Sequence, residues 1–365
     1  MDVTSSQRLS AETRYNRELE TLKTNDNHPK PQGWVLSPRS VRSFILGDHK
    51  LGVAQKFFGD DPLVDRCIVS LMGHQGLMLV GEPGTAKSLL SELLSAAISG
   101  TSGLVVQGSA GIIEDHLRYG WNYAMLLADG PSEEALVPSP ILSAMRGGKV
   151  ARVEELTRCA PEVQDAMISL MSEKTIVIPE LGPEVESRAL AGFNIIATAN
   201  LRDRGVHEMS SALKRRFNFE TVHPIADVEF ERELVAKQLD ERMAEHDIKP
   251  DMNQDTLELL VDVFRDLRTG NTSEGASVSI PNSVMSTAEA VNVAYAATLD
   301  AAYLDDKPLS ASHVARQLSG VVFKDDSEDA RKLRAYVEHI AKPRAKKSKA
   351  WSLFYKTAKS EFDSR

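Results

Sequence analysis

The sequence predicts an α/β domain built on a parallel five-stranded sheet, followed by a smaller α-helical domain. Three observations carry this. An apolar strand-like run, Gly76-Leu77-Met78-Leu79-Val80, leads through a glycine-containing turn into a helix-like stretch from Leu89 to Ile98. Four more strand-like runs follow at Gly103 to Gln107, Lys149 to Val153, Phe193 to Ala199 and Phe217 to Pro224, with helix-like segments between them. Alternating strands and helices predict a parallel sheet covered on both faces. After His223-Pro224 the patterning changes to apolar residues at three-to-four spacing, as in Leu257, Leu260, Phe264 and Leu267, which predicts helices.

Each segment has its own reading. Residues 1–33 are polar and hold the turn-rich Asn25-Asp26-Asn27-His28-Pro29, so a flexible N-terminal arm is expected, with a short helix over Tyr15 to Leu22. The α/β domain is expected over 34–225. Helices at Asp227–His246, Asp255–Arg268, Pro281–Thr298 and Ser312–Val322, with a further one at Arg331–Ile340, form a lid domain over 226–340. Residues 341–365 read as a basic tail, with Lys342, Arg344, Lys346, Lys347 and Lys349 interleaved with Trp351, Phe354 and Tyr355. Tyr119 to Val137 reads as a hairpin around the acidic tip Ala128 to Glu134. Lys174 to Leu190 reads as a second, around Glu180-Leu181-Gly182-Pro183-Glu184.

Composition narrows the function. A chain of 365 residues, 42% hydrophobic and 26% charged, can bury the cores of two globular domains. No apolar run approaches the ~20 residues of a membrane span, and the first residues have no apolar core of a secretory signal. Cys67 and Cys159 cannot build a disulfide framework, so a reducing, cytoplasmic setting is expected. A net charge of −9 argues against wholesale nucleic-acid binding.

The turn Gly81-Glu82-Pro83-Gly84-Thr85-Ala86-Lys87-Ser88, with Leu89 after it, has the layout of a phosphate-binding loop: strand, glycine turn, Lys-Ser, helix. Glycines let several backbone N–H groups converge on one phosphate, and the helix N-terminus adds its positive dipole end. Lys87 reaches the β- and γ-phosphates, and the Ser88 hydroxyl ligates Mg²⁺. Ala86 stands where a third glycine is common. Hydrolysis needs a second, acidic element at the tip of a neighbouring strand. Val150-Ala151-Arg152-Val153-Glu154-Glu155 supplies it, with Glu154 as metal carboxylate where aspartate is usual and Glu155 as general base. Arg152 is unusual there, because buried parallel strands are normally apolar.

With these residues in place, Glu154-Glu155-Leu156-Thr157-Arg158-Cys159-Ala160-Pro161-Glu162-Val163-Gln164 resembles a block of the MoxR-family AAA+ ATPases. Phe193 to Asn200 and Ala212-Leu213-Lys214-Arg215-Arg216-Phe217 are similar to two further blocks in the same order. The resemblance covers about residues 35–225 and, in the lid, extends to character only. It implies an Mg²⁺-dependent ATPase that binds ATP and assembles into a ring, most simply a hexamer. It implies Asn200 as the sensor that orients attacking water. Arg216, or Arg215 in its place, becomes the arginine finger reaching a neighbouring subunit's γ-phosphate. Phe58 and Gly59 pack around the adenine, and the two hairpins face a central channel or a partner. The implied work is chaperone-like remodelling of a protein with a von Willebrand factor A domain. A metal-chelatase-type motor and a nucleotide-gated scaffold with little turnover are the alternatives, and the acidic hairpin tips disfavour a nucleic-acid motor. The family's lid helix usually starts with a Pro-Arg pair; Pro281-Asn282 stands there, with Arg316 as a substitute. That departure, like Glu154 and Arg152, bears on hydrolysis rate rather than on binding.

Overall fold

The computed structural model describes residues 8–59, 61–200, 205–246, 248, 251–283, 285–322 and 327–363. The chain forms two compact units, one of Met1–Glu82 and Ala86–His223, the other of Pro224–Arg365 with Pro83–Thr85. In the first unit the strands are β1 (Gly76–Val80), β2 (Val105–Gln107), β3 (Tyr119–Trp121), β4 (Leu136–Pro138), β5 (Val150–Glu154), β6 (Thr175–Val177), β7 (Glu186–Arg188), β8 (Asn194–Ala199) and β9 (Phe217–Thr221). Five of them make one sheet in the order β2-β5-β8-β1-β9, with every neighbouring pair parallel.

The apolar run of β1 is continuous because both faces of the sheet are covered. Leu77 and Leu79 pack with Val150 and Ile196 beneath helices Pro38–Leu46, Asp61–Met72 and Lys87–Ser99. Met78 and Val80 pack with Ala151, Val153, Ile195 and Ala197 against helices Pro140–Gly147 and Pro161–Glu173. In register, Val80 lies beside Ala199 and Val153 beside Ala197. The chain therefore leaves β1, β5 and β8 at one edge of the sheet, and Gly81, Glu155 and Asn200 emerge side by side. Crossover topology thus gathers residues far apart in sequence.

The two insertions are antiparallel pairs, β3 with β4 and β6 with β7. The first is not a plain hairpin: helix Tyr123–Asp129, capped by the Asn122 side chain, stands between its strands. Tyr119 donates to Glu180 at 2.8 Å and Arg118 donates to the Val177 carbonyl at 3.0 Å, so the insertions are tied together.

The N-terminal segment differs from the expected flexible arm. Helices Ala11–Arg14 and Asn16–Asn25 dock on the first unit, and Leu22 is 1% exposed. Glu12 accepts from the Ser102 backbone and hydroxyl at 3.1 and 2.7 Å, and Glu92 accepts from the Ala11 N–H and Arg8, both at 3.0 Å. Glu18 pairs with the buried Lys56, whose ammonium lies over the rings of Tyr15 and Phe44. Polar residues that read as solvated are used as specific anchors.

The second unit is helical, with Val228–Met243, Gln254–Thr269, Thr287–Leu299, Ala311–Val322 and Ser327–Tyr336 close to the expected positions. The third starts later than Pro281 because Ser286 and Glu289 form its capping box. Asp329 instead accepts from the backbone N–H groups of Asn282 and Ser283 at 2.6 and 2.7 Å. Arg316 is held by Asp300 and Asp305. The basic tail is likewise corrected. Helix Lys349–Asp363 presents Trp351, Phe354, Ala358 and Phe362 to the core of the second unit, and Arg344 lies against Asp266, Glu274 and the Trp351 ring. Its apolar residues recur at helical spacing while its lysines face outward.

Two predictions follow from this packing. Phe354 is fully buried, so Phe354→Ala is expected to cost the second unit about 3–5 kcal/mol in chemical denaturation; a loss near zero would mean the last helix does not dock. Ala86 sits at φ 65°, left-handed, a region that costs an L-residue about 1–2 kcal/mol. Ala86→Gly relieves that strain against a smaller entropic loss, so stability should rise by about 0.5–1 kcal/mol. A clear fall in melting temperature would contradict the strained backbone.

Candidate active site

The loop after β1 carries glycines where its backbone needs them: Gly81 has φ 157° and Gly84 φ 76°. Helix Lys87–Ser99 begins at once after Ala86, so its unpaired N–H groups open at the sheet edge. Lys87 is buried and its Nζ donates to the Gly81 and Glu82 carbonyls at 3.1 and 2.7 Å. Burial pushes its ammonium below the ordinary lysine range, against the pull of Glu155 and Glu154. Ser88 is exposed, with its hydroxyl donating to Glu154 Oε2 at 2.7 Å.

Glu154 ends β5 and is 5% exposed. Its Oε1 accepts from Ser91 Oγ at 2.6 Å and Arg152 Nη2 at 2.7 Å; its Oε2 accepts from Ser88 Oγ and from Thr198 Oγ1 at 2.8 Å. Burial by itself would raise the carboxyl, but the hydroxyls of Ser91 and Ser88, the Arg152 charge and Thr198 hold it below its ordinary value. Residues 150, 152 and 154 share the strand face turned to helix Lys87–Ser99, which brings Arg152 and Glu154 over Ser88 and Ser91.

Glu155 follows in the left-handed region, φ 55° and ψ 43°. This is a conformation worth about 1–3 kcal/mol of strain and typical of functional positions. The Glu155 N–H donates to Thr198 Oγ1 at 3.0 Å. Its carboxylate accepts from Asn200 Nδ2 at 2.7 Å and from Arg158 Nε at 3.3 Å. Asn200 Oδ1 is buried without a hydrogen-bond partner among the described residues. Gly108, after β2, donates to the Glu154 carbonyl at 2.7 Å, and a Cβ there would meet the Glu155 carbonyl at 2.4 Å. Only glycine lets the chain pass so close.

The structure thus brings together Gly81, Lys87, Ser88, Glu154, Glu155 and Asn200. Arg215 and Arg216 lie elsewhere. They precede β9, whose Phe217 pairs with Gly76 at the start of β1, so they sit at the opposite edge of the sheet, about 13 Å of strand away. Arg216 donates to Ser172 Oγ at 2.5 Å and the Ala212 carbonyl at 2.6 Å; Arg215 is exposed and donates to the Ser211 carbonyl at 3.3 Å. Phe58 is half-buried and Gly59 exposed, while Phe57 is the core residue of that loop. Sequence reasoning assigned no role to Ser91, Thr198 or Gly108. The first two were traceable, one turn beyond Ser88 on its helix and two residues before Asn200 on its strand.

Residues 76–217 match the profile of an AAA domain of the dynein-related subfamily, and residues 229–360 match that of the YehL-like AAA+ ATPase C-terminal domain. The chain is 48% identical over 350 residues to the protein YehL of Escherichia coli (strain K12), covering 96% of each. It is 28% identical over 145 residues to a protein of Staphylococcus aureus (strain USA300), covering 40% of this chain and 54% of that one. NtrX from Brucella abortus shares the fold at a TM-score of 0.50 and 13% identity, over 82% of this chain and 64% of that one. With 48% identity across 96% of each chain and both domain profiles matched in order, the chain belongs to the YehL-like AAA+ ATPases.

Proposed function

We propose that the protein hydrolyses ATP with Mg²⁺ at sites shared between subunits of a ring, and uses the cycle to remodel a partner protein. The observation that carries this is the division of the expected machinery between two edges of the sheet. Loop, metal carboxylate, base and sensor share one edge; both candidate finger arginines lie at the other. Within one subunit they do not meet, so a second subunit must supply the arginine.

At the shared edge the donors suit Mg²⁺, a hard cation that takes oxygen ligands: the Ser88 hydroxyl and Glu154 Oε2 lie 2.7 Å apart. Ser88 and Glu154 would hold the ion, which would offset charge on the phosphates. Lys87 would exchange its two loop carbonyls for phosphate oxygens. Glu155 is held by Asn200, which fixes the carboxylate that accepts the proton of attacking water, and the unused Asn200 Oδ1 offers that water an acceptor. Arg216 or Arg215 from the neighbour would offset charge on the transferring phosphoryl group.

Support for a protein partner comes from the insertions. Their cleft is lined by Glu114, Asp115, Arg118, Tyr119, Trp121 and Glu180, and Arg118 is already paired with Glu114. Such a surface repels phosphate backbones and suits a polypeptide. The von Willebrand factor A class of partner rests on the MoxR resemblance. A nucleotide-gated scaffold with little turnover is the second reading, favoured by the four donors that already fill the Glu154 carboxylate.

Lys87→Ala is expected to weaken ATP binding sharply in a calorimetric titration; unchanged affinity would remove the phosphate-loop assignment. Glu155→Gln should keep ATP binding and lower turnover by about 10²–10⁴-fold. In ATP it should also retain partner proteins carrying a von Willebrand factor A domain. Wild-type turnover in this variant would move the base to Glu154, and turnover near zero in the wild type would favour the scaffold.

Arginine fingers are worth about 10³–10⁵ in rate, so Arg216→Ala should bind ATP and lose hydrolysis, less completely if Arg215 compensates. Mixed with Glu155→Gln it should recover activity, provided labelled subunits are seen to exchange. If exchange occurs and only Arg215→Ala complements, the finger is Arg215. If both arginine variants hydrolyse normally as homogeneous assemblies, the shared site is wrong.

A further inference from the structure

Arg152 is a buried guanidinium in the middle of a parallel strand, 7% exposed. It donates from Nε to Ser91 Oγ at 3.0 Å, from Nη1 to the Ser102 carbonyl at 3.1 Å, and from Nη2 to the Ser88 carbonyl at 3.2 Å and to Glu154 Oε1 at 2.7 Å. Stability alone does not account for it. Its strand neighbours Val150, Ala151 and Val153 are apolar and buried, and replacing a buried ion pair by apolar residues is often neutral or favourable.

What the guanidinium does do is divide the two oxygens of Glu154. Oε1 is closed, because Ser91 and Arg152 fill it. Oε2 points to the hydroxyls of Ser88 and Thr198, and Ser88 is the exposed one. Only Oε2 can thus be offered beside Ser88. The permanent positive charge of Arg152 stands directly across the same carboxylate, so the pair presents no net charge to a cation approaching Ser88. The extra methylene of glutamate over aspartate gives the carboxylate the reach to touch Arg152, Ser91, Ser88 and Thr198 together.

We propose that Arg152 is a positioning residue that pins one oxygen of the Glu154 carboxylate, offsets its charge, and so weakens the site's hold on the divalent cation that accompanies the nucleotide. This rests on the reading of Ser88 and Glu154 as the metal side of the site. Nucleotide binding then tracks free Mg²⁺ over a higher concentration range than an unpaired carboxylate would give.

The test is binding of a fluorescent ADP analogue to the full chain, titrated with Mg²⁺ and repeated in chelator. Arg152→Gln keeps a donor for Ser91 but removes the charge. Its Mg²⁺ half-saturation should fall roughly tenfold or more, while analogue affinity in chelator stays near wild type. Arg152→Lys keeps the charge and should stay within about threefold of the wild-type half-saturation; it also decides the matter if Arg152→Gln does not fold. An unchanged half-saturation in folded Arg152→Gln, or a tenfold fall in Arg152→Lys, overturns the proposal. So does equal loss of analogue affinity with and without Mg²⁺, which would mark a purely structural residue. Failure of the underlying reading looks different: wild-type binding would then be indifferent both to Mg²⁺ and to Lys87→Ala, and both ideas would fall together.

Discussion

The carboxylate of Glu154 sets the terms for everything around it. A charged group almost wholly removed from water must be fully hydrogen-bonded or it loses its charge. Here four donors meet it, drawn from three separate stretches of chain: Ser88 and Ser91 on the helix after β1, Arg152 on its own strand, and Thr198 on β8. Satisfying this one group fixes the first turn of helix Lys87–Ser99 against β5 and β8. It also explains why hydroxyl residues stand where helix and strand would otherwise bury methyl groups.

From that anchor the rest of the site follows with little freedom. Thr198 uses one hydroxyl twice, donating to Glu154 and accepting the N–H of Glu155. That second bond holds Glu155 in its left-handed conformation and aims its carboxylate at Asn200. Gly108 lets the end of β2 press against the same turn. Glu155, the proposed base, is therefore oriented by backbone geometry rather than by its own rotamer freedom, the kind of support a preorganised site requires.

Much of this was legible in the sequence. Apolar runs of strand length, each followed by a helix-like segment, specify a parallel sheet, and the order of the loop, the acidic pair and Asn200 places them at one edge. Two kinds of feature were not. The docked ends were hidden because an amphipathic helix that is lysine-rich outside, such as Lys349–Asp363, has the composition of a solvated tail; only the spacing of Trp351, Phe354, Ala358 and Phe362 tells them apart. A helix over Tyr15 to Leu22 was legible, but its docking was hidden because the anchors of the N-terminal segment are long-range ion pairs, Glu18 with Lys56 and Arg8 with Glu92, and no local pattern encodes a partner so distant in sequence. The partners of Arg152 were out of reach for the same reason, although its presence in a buried strand was itself the signal.

The sheet also constrains what a single chain can do. β9 runs parallel to β1, so whatever precedes β9 must lie at the edge from which β1 starts, opposite the Gly81–Ser88 turn. No side-chain rotamer of Arg215 or Arg216 reverses that placement, because several residues of hydrogen-bonded strand lie between. The separation that denies these arginines to their own loop leaves them on an outer surface of the domain, anchored by Ser172 and the Ala212 carbonyl in one case and largely solvent-exposed in the other. In the proposed assembly, the basic pair at the edge of one subunit and the Gly81–Ser88 turn at the far edge of the next would be the two halves of a head-to-tail interface. Repetition of such a heterologous contact closes into a ring when its rotation permits. On the proposed shared site, the requirement for assembly would come from strand direction.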